Sequence, residues 1–244
     1  MEMELSREVF STYFPTYTLR TSSLSYAQVL PSLDMFLPTH VPTYLPTCSP
    51  THQPLIYNRM QAPGRINIIG EHVDYSGYPV LPCALTQRAH VICTMFHRQE
   101  ENCGSYQIDG PFVGPRLICQ NVHASEYPPV AVNLSERMEK LEKGLADCQS
   151  LSWSDYVVCG FAAAKSFVVS SSSSRSLLLS MENSDFLLLV ASHIPAGAGL
   201  SSSSALVVTT ALALVHQWGL SVSMSALAQA CMYAERLVGT MGGG

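Results

Sequence analysis

Apolar side chains recur at helical spacing in the second half of the chain. The segment LSERMEKLEKGLADC places Leu134, Met138, Leu141 and Leu145 on one face, which predicts a helix with one exposed side. The pairs Glu136–Lys140 and Glu139–Lys143 have the favourable i, i+4 order on that side. SWSDYVVCGFAAAKSFVV predicts a second, more buried helix. SMSALAQACMYAERLVG predicts another, with four residues on one face: Leu227, Cys231, Ala234 and Val238.

β-branched and apolar runs predict strands between these helices. HVICTMF, at His90–Phe96, is typical of a strand. DFLLLVASHIPAGAGLSSSSALVVTTALALV predicts an apolar strand, a Gly/Ser turn and a long helix. The apolar core of that helix, Ala205–Val215, is shorter than the roughly 20 residues that span a bilayer, so we expect a buried helix. Pro63-Gly64 and Gly70 predict turns, and Ser170–Ser174 predicts a loop.

Residues 1–54 differ from the rest of the chain. Seven prolines recur there among Ser, Thr and Tyr, at Pro15, Pro31, Pro38, Pro42, Pro46, Pro50 and Pro54. Proline at this density excludes helix interiors and central strands. We therefore expect a poorly ordered leader or insertion over 1–54 and a folded domain over 55–244.

Composition narrows the possible functions. The chain is 47% apolar and 13% charged, against about 25% charged residues in an average soluble protein, so it can fill a sizeable core. A net charge of −5 without any basic block argues against a nucleic-acid partner. The first residues lack a secretory signal, and the eight cysteines show no Cys-x-x-Cys spacing. We expect reduced thiols, no membrane partner and a cytoplasmic location.

The stretch IPAGAGLSSSSAL has the features of a phosphate-binding loop. Gly197 and Gly199 allow positive φ and close approach of a ligand, and the serines open a helix whose N–H groups attract phosphate. Serine hydroxyls can also ligate Mg²⁺. No lysine follows the glycines, which excludes the Gly-x-x-x-x-Gly-Lys-Ser/Thr loop. The alternative is a Gly/Ser linker, which is rarely flanked by such apolar segments.

The stretch APGRINIIGEHVDYSGY concentrates polar chemistry between apolar residues. Arg65, Glu71, His72 and Asp74 lie within ten positions of one another. Convergent acceptors and donors of this kind can bind the hydroxyls of a sugar. The alternative is a charged surface loop with an Arg–Glu ion pair.

Together the two stretches resemble the galactokinase family. GRINIIGEHVDYSGYPVLPCA is similar to the galactokinase signature, and PAGAGLSSSSAL resembles the second motif of the wider superfamily of galactokinase, homoserine, mevalonate and phosphomevalonate (GHMP) kinases. SWSDYVVCGF and AERLVGTMGGG resemble further galactokinase segments, and DYSGY with the triple glycine most resembles N-acetylgalactosamine kinases. The resemblance runs from Leu55 to Gly244.

This resemblance implies a fold and a reaction. The fold is α+β, the N-terminal lobe of a GHMP kinase: a mixed β-sheet backed by helices, like the second domain of a small-subunit ribosomal protein, with the second lobe missing. The reaction is ATP- and Mg²⁺-dependent phosphorylation of galactose or N-acetylgalactosamine at the anomeric hydroxyl, giving the sugar 1-phosphate. Arg65 is then the catalytic residue at the reacting centre. The sugar is bound by Arg65, Glu71, His72 and Asp74, the phosphates by Gly197, Gly199, Leu200, Ser201 and Ser202, and Mg²⁺ by Ser202 and Glu235. An acidic residue such as Glu235 on an amphipathic helix is otherwise usually just solvated.

The sequence departs from the family pattern in three places. The Pro/Thr-rich segment interrupts the start, and the family's third, glycine-rich motif is absent. The aspartate that serves the family as general base would follow Gly244. We therefore expect these 244 residues alone to be an inactive or nearly inactive fragment.

Two other functions are compatible with parts of this pattern. One is a non-catalytic galactokinase-like sugar sensor or binding protein, against which the intact Ser204-Ala205 dipeptide argues. The other is a mevalonate or homoserine kinase, against which the sugar-binding GEHVDY argues.

Overall fold

The computed structural model describes residues 20–21, 58–70, 73, 76–97, 114–144, 151–169 and 174–240. Within these ranges the strands are β1 (Arg20–Thr21), β2 (Asn58–Ile69), β3 (Leu81–His97), β4 (Arg116–Asn121), β5 (Val130–Asn133) and β6 (Ser184–Ser192). The helices are α1 (Leu134–Glu142), α2 (Trp153–Val169), α3 (Ser174–Glu182), α4 (Ser202–Gln217) and α5 (Met224–Glu235), and a 3₁₀ turn follows at Arg236–Val238.

The described strands form one mixed sheet in the order β1-β2-β3-β6-β4-β5. β4 runs parallel to β6, and every other neighbouring pair is antiparallel. The expected α+β lobe, with a mixed sheet backed by helices, is therefore confirmed. Of residues 1–54, only the pair Arg20–Thr21 is described, where it is hydrogen-bonded to Asn58 and Arg59 of β2. The poorly ordered leader otherwise lies outside the described residues and stays a prediction.

The main hydrophobic core lies between the sheet and helices α2, α4 and α5. Phe186 of β6 meets Phe161 of α2 edge to face, with ring centroids 4.8 Å apart, and both rings are fully buried. α2 and α4 approach each other closely at Gly160. A Cβ at that position would lie 2.5 Å from the Cβ of Thr210 and 2.9 Å from the carbonyl oxygen of Val207. The missing side chain thus sets the distance between these two helices.

The helices follow the predicted periodicity. Leu134, Met138 and Leu141 are the buried face of α1, while Leu145 lies outside the described residues. The two predicted ion pairs on the exposed face of α1 are both present. On α5 and the following turn, the four residues predicted to share a face are all buried: Leu227, Cys231, Ala234 and Val238. The apolar run Ala205–Val215 lies in α4, and most of it is buried, as predicted.

Hydrogen bonds between Ser152 and the first turn of α2 cap the start of this helix. The backbone N–H of Ser152 donates to the Asp155 carboxylate at 2.7 Å, and the N–H of Ser154 donates to the Ser152 hydroxyl at 3.2 Å. Asp155 is 1% exposed and also accepts two hydrogen bonds from the Arg137 guanidinium, at 2.6 and 2.7 Å. This buried ion pair joins α1 to α2.

The turn predicted at Pro63-Gly64 is wrong, because both residues lie within β2. There β2 advances two residues, from Pro63 to Arg65, while β3 runs four, from Arg88 to Ala84, so the strands form a bulge. Among the described residues β1 pairs only with Asn58 and Arg59, so β2 has an outer edge at Pro63. An edge tolerates a residue that has no N–H to donate.

Other predictions had mixed outcomes. Gly70 has a φ of +100° at the end of β2, as a turn there requires. Ser174 begins α3 rather than continuing a loop, and 170–173 lie outside the described residues. In the described part of the chain, none of the helices has the length and apolar character needed to cross a membrane. The five described cysteines are free thiols, and burial raises the pKa of Cys93 to about 12.

Candidate active site

Strand β2 carries Arg65 into the candidate site. Arg65 is half-buried and pairs with Ala84 of β3, directly after the bulge. The strand ends at Ile69, where Gly70 turns the chain towards the remaining residues of the signature. Glu71, His72 and Asp74 lie outside the described residues, so their proposed contacts with a sugar stay predictions.

The Gly/Ser stretch forms an exposed loop between β6 and α4. Gly197 and Gly199 have φ values of +68° and +71°, and a Cβ on either would meet no atom within 4 Å. Glycine is thus required here by the backbone conformation and not by crowding. The open space beside both residues is available to a ligand. This is the geometry expected of a loop whose backbone approaches phosphate.

The loop ends at Ser201, which also has a positive φ, of +55°. Ser201 is the N-cap of α4, and its side chain makes no capping hydrogen bond to the helix. The N–H groups of the first helical turn therefore lack this intrinsic cap, and they carry the positive end of the helix dipole. An anion at this position would be bound by both effects.

A direct backbone contact joins β2 to the loop. The N–H of Arg65 donates to the carbonyl oxygen of Leu200 at 3.0 Å. Gly64, which precedes Arg65, is buried against the same carbonyl. The sugar-signature strand and the phosphate loop are 135 positions apart in sequence and meet here without an intervening side chain.

Glu235, at the end of α5, is 4% exposed and faces the start of α4. Its Oε1 accepts hydrogen bonds from the hydroxyls of Ser203, at 2.9 Å, and Ser204, at 3.0 Å. Its Oε2 accepts a second contact from Ser204 at 2.7 Å. Glu235 is thus not a solvated helix residue. The hydroxyls that donate to the carboxylate belong to Ser203 and Ser204, and the expectation that Ser202 and Glu235 hold Mg²⁺ stays a prediction.

These oxygen donors fit a magnesium ion. Mg²⁺ is bound in proteins through one or two carboxylates together with substrate phosphates and water. Glu235 supplies the carboxylate, and the adjacent serines supply hydroxyls. No group of three or more His, Cys, Asp or Glu side chains occurs among the described residues, so a cation here would depend on hydroxyl and phosphate oxygens.

The Glu235 carboxylate affects the pKa of neighbouring groups in the core. Burial, followed by the Glu235 carboxylate, raises the pKa of Cys231 to about 12. Burial and the Glu235 carboxylate are also the two largest causes for Cys159 of α2, and they raise its pKa to about 12. Burial and this carboxylate likewise raise the pKa of Tyr156. These raised pKa values keep the two thiols and the phenol neutral, so Glu235 is the charged group among them.

The structure brings two sets of predicted residues together. Arg65 meets Leu200 of the phosphate loop, and the serine run meets Glu235. Sequence reasoning missed Gly64, Ser203 and Ser204. A glycine next to Arg65 was itself a signal for close backbone approach, but it suggested a turn instead. Four consecutive serines give no local signal of which hydroxyl faces the carboxylate.

Both stretches lie in regions that match known protein families. Residues 56–95 match the galactokinase galactose-binding signature, and residues 163–244 match the N-terminal domain of the GHMP kinases. The first match contains Arg65 and the sugar-signature residues, and the second contains the loop and Glu235. The two matches support the resemblance of these stretches to galactokinases and to the wider GHMP kinases.

Individual relatives agree with this family. The chain is 34% identical over 194 residues to a galactokinase of Dictyostelium discoideum, covering 79% of this chain and 32% of the relative. It is 32% identical over 177 residues to a galactokinase of Thermotoga maritima, covering 72% of this chain and 38% of the relative. The chain thus spans about a third of the length of these galactokinases.

Solved structures show the same fold. The crystal structure of Lactococcus lactis galactokinase complexed with galactose superposes with a TM-score of 0.55 at 23% identity, covering 77% of this chain and 39% of that one. A mevalonate kinase gives a TM-score of 0.51 at 15% identity, covering 74% of this chain and 47% of that one. The sheet and helices of this chain therefore have the same fold as the matched parts of these two structures.

Proposed function

We propose that this chain supplies the sugar-binding strand and phosphate loop of an ATP-dependent kinase acting on galactose or N-acetylgalactosamine. The product is the sugar 1-phosphate. The observation that supports this most is the 3.0 Å hydrogen bond from the Arg65 N–H to the Leu200 carbonyl. It joins the residue proposed for the reacting centre to the loop proposed for the ATP phosphates.

Each residue has a distinct role in this proposal. The Arg65 guanidinium stabilises negative charge on the sugar oxygen and the transferred phosphoryl group, because phosphoryl transfer depends mainly on positioning and electrostatics. The glycines of the loop and the first N–H groups of α4 hold the phosphates. Glu71, His72 and Asp74 bind sugar hydroxyls.

Magnesium is part of the proposed site. Glu235 with Ser203 or Ser204 would hold it, together with the Ser202 hydroxyl to which the sequence pointed. The ion supplies positive charge that offsets the charge of the phosphates. The protein's own contribution is to keep the carboxylate buried and aimed at the start of α4, which the two serine hydroxyls do.

Binding tests this function independently of turnover. We expect titration calorimetry to detect ATP with Mg²⁺, galactose and N-acetylgalactosamine, and to give weaker binding for glucose. Any sugar 1-phosphate formation detected by ³¹P NMR should drop about 100-fold or more in Arg65→Gln, as when one transition-state donor is removed. Arg175→Gln, on the exposed face of α3, is the matched control and should change neither quantity.

The outcomes separate the possible functions. Failure of the protein to bind either nucleotide or sugar would contradict the proposal. Tight binding of both without transfer, combined with capture of a partner only when both are present, would favour the sensor. Turnover by the 244 residues alone tests the expectation that they are nearly inactive. N-acetylgalactosamine binding at least as tightly as galactose is the result expected from DYSGY.

A further inference from the structure

Gly64 is buried at the point where β2 meets the phosphate loop. A Cβ built on it would lie 2.8 Å from the carbonyl oxygen of Leu200, closer than side-chain carbons approach an oxygen in folded proteins. The φ of Gly64 lies outside the left-handed region, so the backbone itself would accept alanine. Lack of space, and not the backbone conformation, therefore excludes alanine at this position.

The crowded oxygen belongs to the backbone and has little freedom to move. It accepts the N–H of Arg65, and the next residue, Ser201, is held at a φ of +55° as the N-cap of α4. In the described part of the chain, Ser201 is the only non-glycine residue with positive φ. Such a conformation persists only where neighbouring contacts hold it in place.

The other neighbours of the missing Cβ differ in kind. They are side-chain tips, Cγ2 of Ile194 at 3.2 Å and Cδ1 of Leu85 at 3.3 Å. Side-chain tips can rotate by a few tenths of an ångström, whereas the Leu200 carbonyl moves only if the loop moves. The contact with Leu200 therefore decides what a substitution at Gly64 would do.

We propose that Gly64 is a positioning residue, whose missing side chain lets the Leu200 carbonyl seat against β2 and so keeps the phosphate loop in register with Arg65. The consequence for nucleotide binding rests on the proposed function. A methyl group at this position separates the loop from β2, weakens the Arg65–Leu200 hydrogen bond and releases Ser201 from its left-handed conformation.

Gly64→Ala tests this proposal, with Gly160→Ala as the control. Both substitutions add one methyl group against a close contact, but Gly160 lies in α2 and faces α4, where the clash is with Thr210. Hydrogen exchange, followed by mass spectrometry, reports directly on the amides of 195–205. We expect Gly64→Ala to speed exchange in this segment about tenfold, and Gly160→Ala to lower the melting temperature without a selective effect there.

The functional readout is the dissociation constant for ATP with Mg²⁺. It should rise about tenfold or more in Gly64→Ala, because the added methyl group displaces the loop that is proposed to hold the phosphates. The galactose dissociation constant should change less. Gly160→Ala should leave the ratio of the two constants unchanged, because a loss of global stability does not separate nucleotide from sugar.

Two results would overturn the role of Gly64. One is equal exchange of 195–205 in the two variants. The other is recovery of slow exchange in Gly64→Ala combined with Leu85→Ala, which would make side-chain crowding the cause. Wild-type protein that binds no nucleotide would contradict the proposed function instead, and the exchange comparison would still decide whether Gly64 positions the loop.

Discussion

Removing the hydroxyl of Ser204 tests whether α4 holds the buried carboxylate of Glu235. Ser204 Oγ lies 3.0 Å from Oε1 and 2.7 Å from Oε2, and Glu235 is 4% exposed. A hydrogen bond to a charged group contributes about 1.5–3 kcal/mol. Water has little access to replace the hydroxyl, so we expect Ser204→Ala to lower the free energy of unfolding by about 2 kcal/mol.

The assay is urea and thermal unfolding, followed by circular dichroism. For a domain of about 150–250 residues, each kcal/mol lowers the melting temperature by about 2–4 °C, which predicts a decrease of about 4–8 °C. Ser203→Ala should cost less, because Ser203 makes one contact with the carboxylate, at 2.9 Å. Ser225→Ala is the control: Ser225 is exposed in the first turn of α5, so the change should stay within about 0.5 kcal/mol.

Repeating Ser204→Ala in a Glu235→Gln variant shows whether the charge of the carboxylate strengthens the hydrogen bond. In Glu235→Gln the acceptor is neutral, and the hydrogen bond is worth about 0.5–1.5 kcal/mol, so the further change Ser204→Ala should cost less than in wild type. Equal costs in the two backgrounds, or a Ser204→Ala effect no larger than that of Ser225→Ala, would refute the reasoning. The Glu235 carboxylate would then not depend on the Ser204 hydroxyl, and the candidate cation site would lose this support.

Three further predictions concern stability. Arg137→Met should cost about 3–5 kcal/mol by chemical unfolding, because it leaves the buried Asp155 carboxylate without its guanidinium partner, and adding Asp155→Asn should recover part of the loss, because it removes the unpaired charge and keeps an acceptor for the Ser152 N–H. Gly160→Ala should cost about 1–3 kcal/mol, because its Cβ would lie 2.5 Å from the Cβ of Thr210; an unchanged melting temperature would contradict this close packing. Burial and nearby cationic groups lower the pKa of His90 from 6.5 to about 4, so the unfolded chain takes up the proton first, and stability is intact above pH 6.5 and falls as the pH drops from 6.5 towards 4. Since His90 is only part-buried, the loss between pH 7 and pH 5 should be about 1 kcal/mol in urea titrations, and His90→Gln should remove it.

Periodicity predicted the elements that pack one face against the core. Leu134, Met138 and Leu141 could be read directly as the buried side of α1, because helical spacing places them together whatever they pack against. β4 and β5 were missed, since they are only six and four residues long and show no clear alternation. Such strands are defined by their pairing with β6 and with each other, which the local sequence does not contain.

The candidate site was predictable in its residue types but not in its pairing. The serine run and Glu235 were recognised, yet which hydroxyl faces the carboxylate depends on where α4 begins. That start is fixed by Leu200, which docks on β2 at Gly64, 136 positions earlier. A one-residue shift in a helix rotates a side chain by about 100°, so a contact between distant strands decides the role of each serine.

The phosphate loop is held from two sides, and this arrangement leads to a final prediction. β2 contacts it through Arg65 and Gly64, and Glu235 holds the helix that follows it through Ser204. If both contacts restrain one loop conformation, the loss of either already frees most of 195–201. Gly64→Ala combined with Ser204→Ala should then speed hydrogen exchange of the loop by less than the product of the two single effects. An effect equal to that product would instead mean that the two sides act on separate segments, because independent contacts contribute independently to the free energy of local opening.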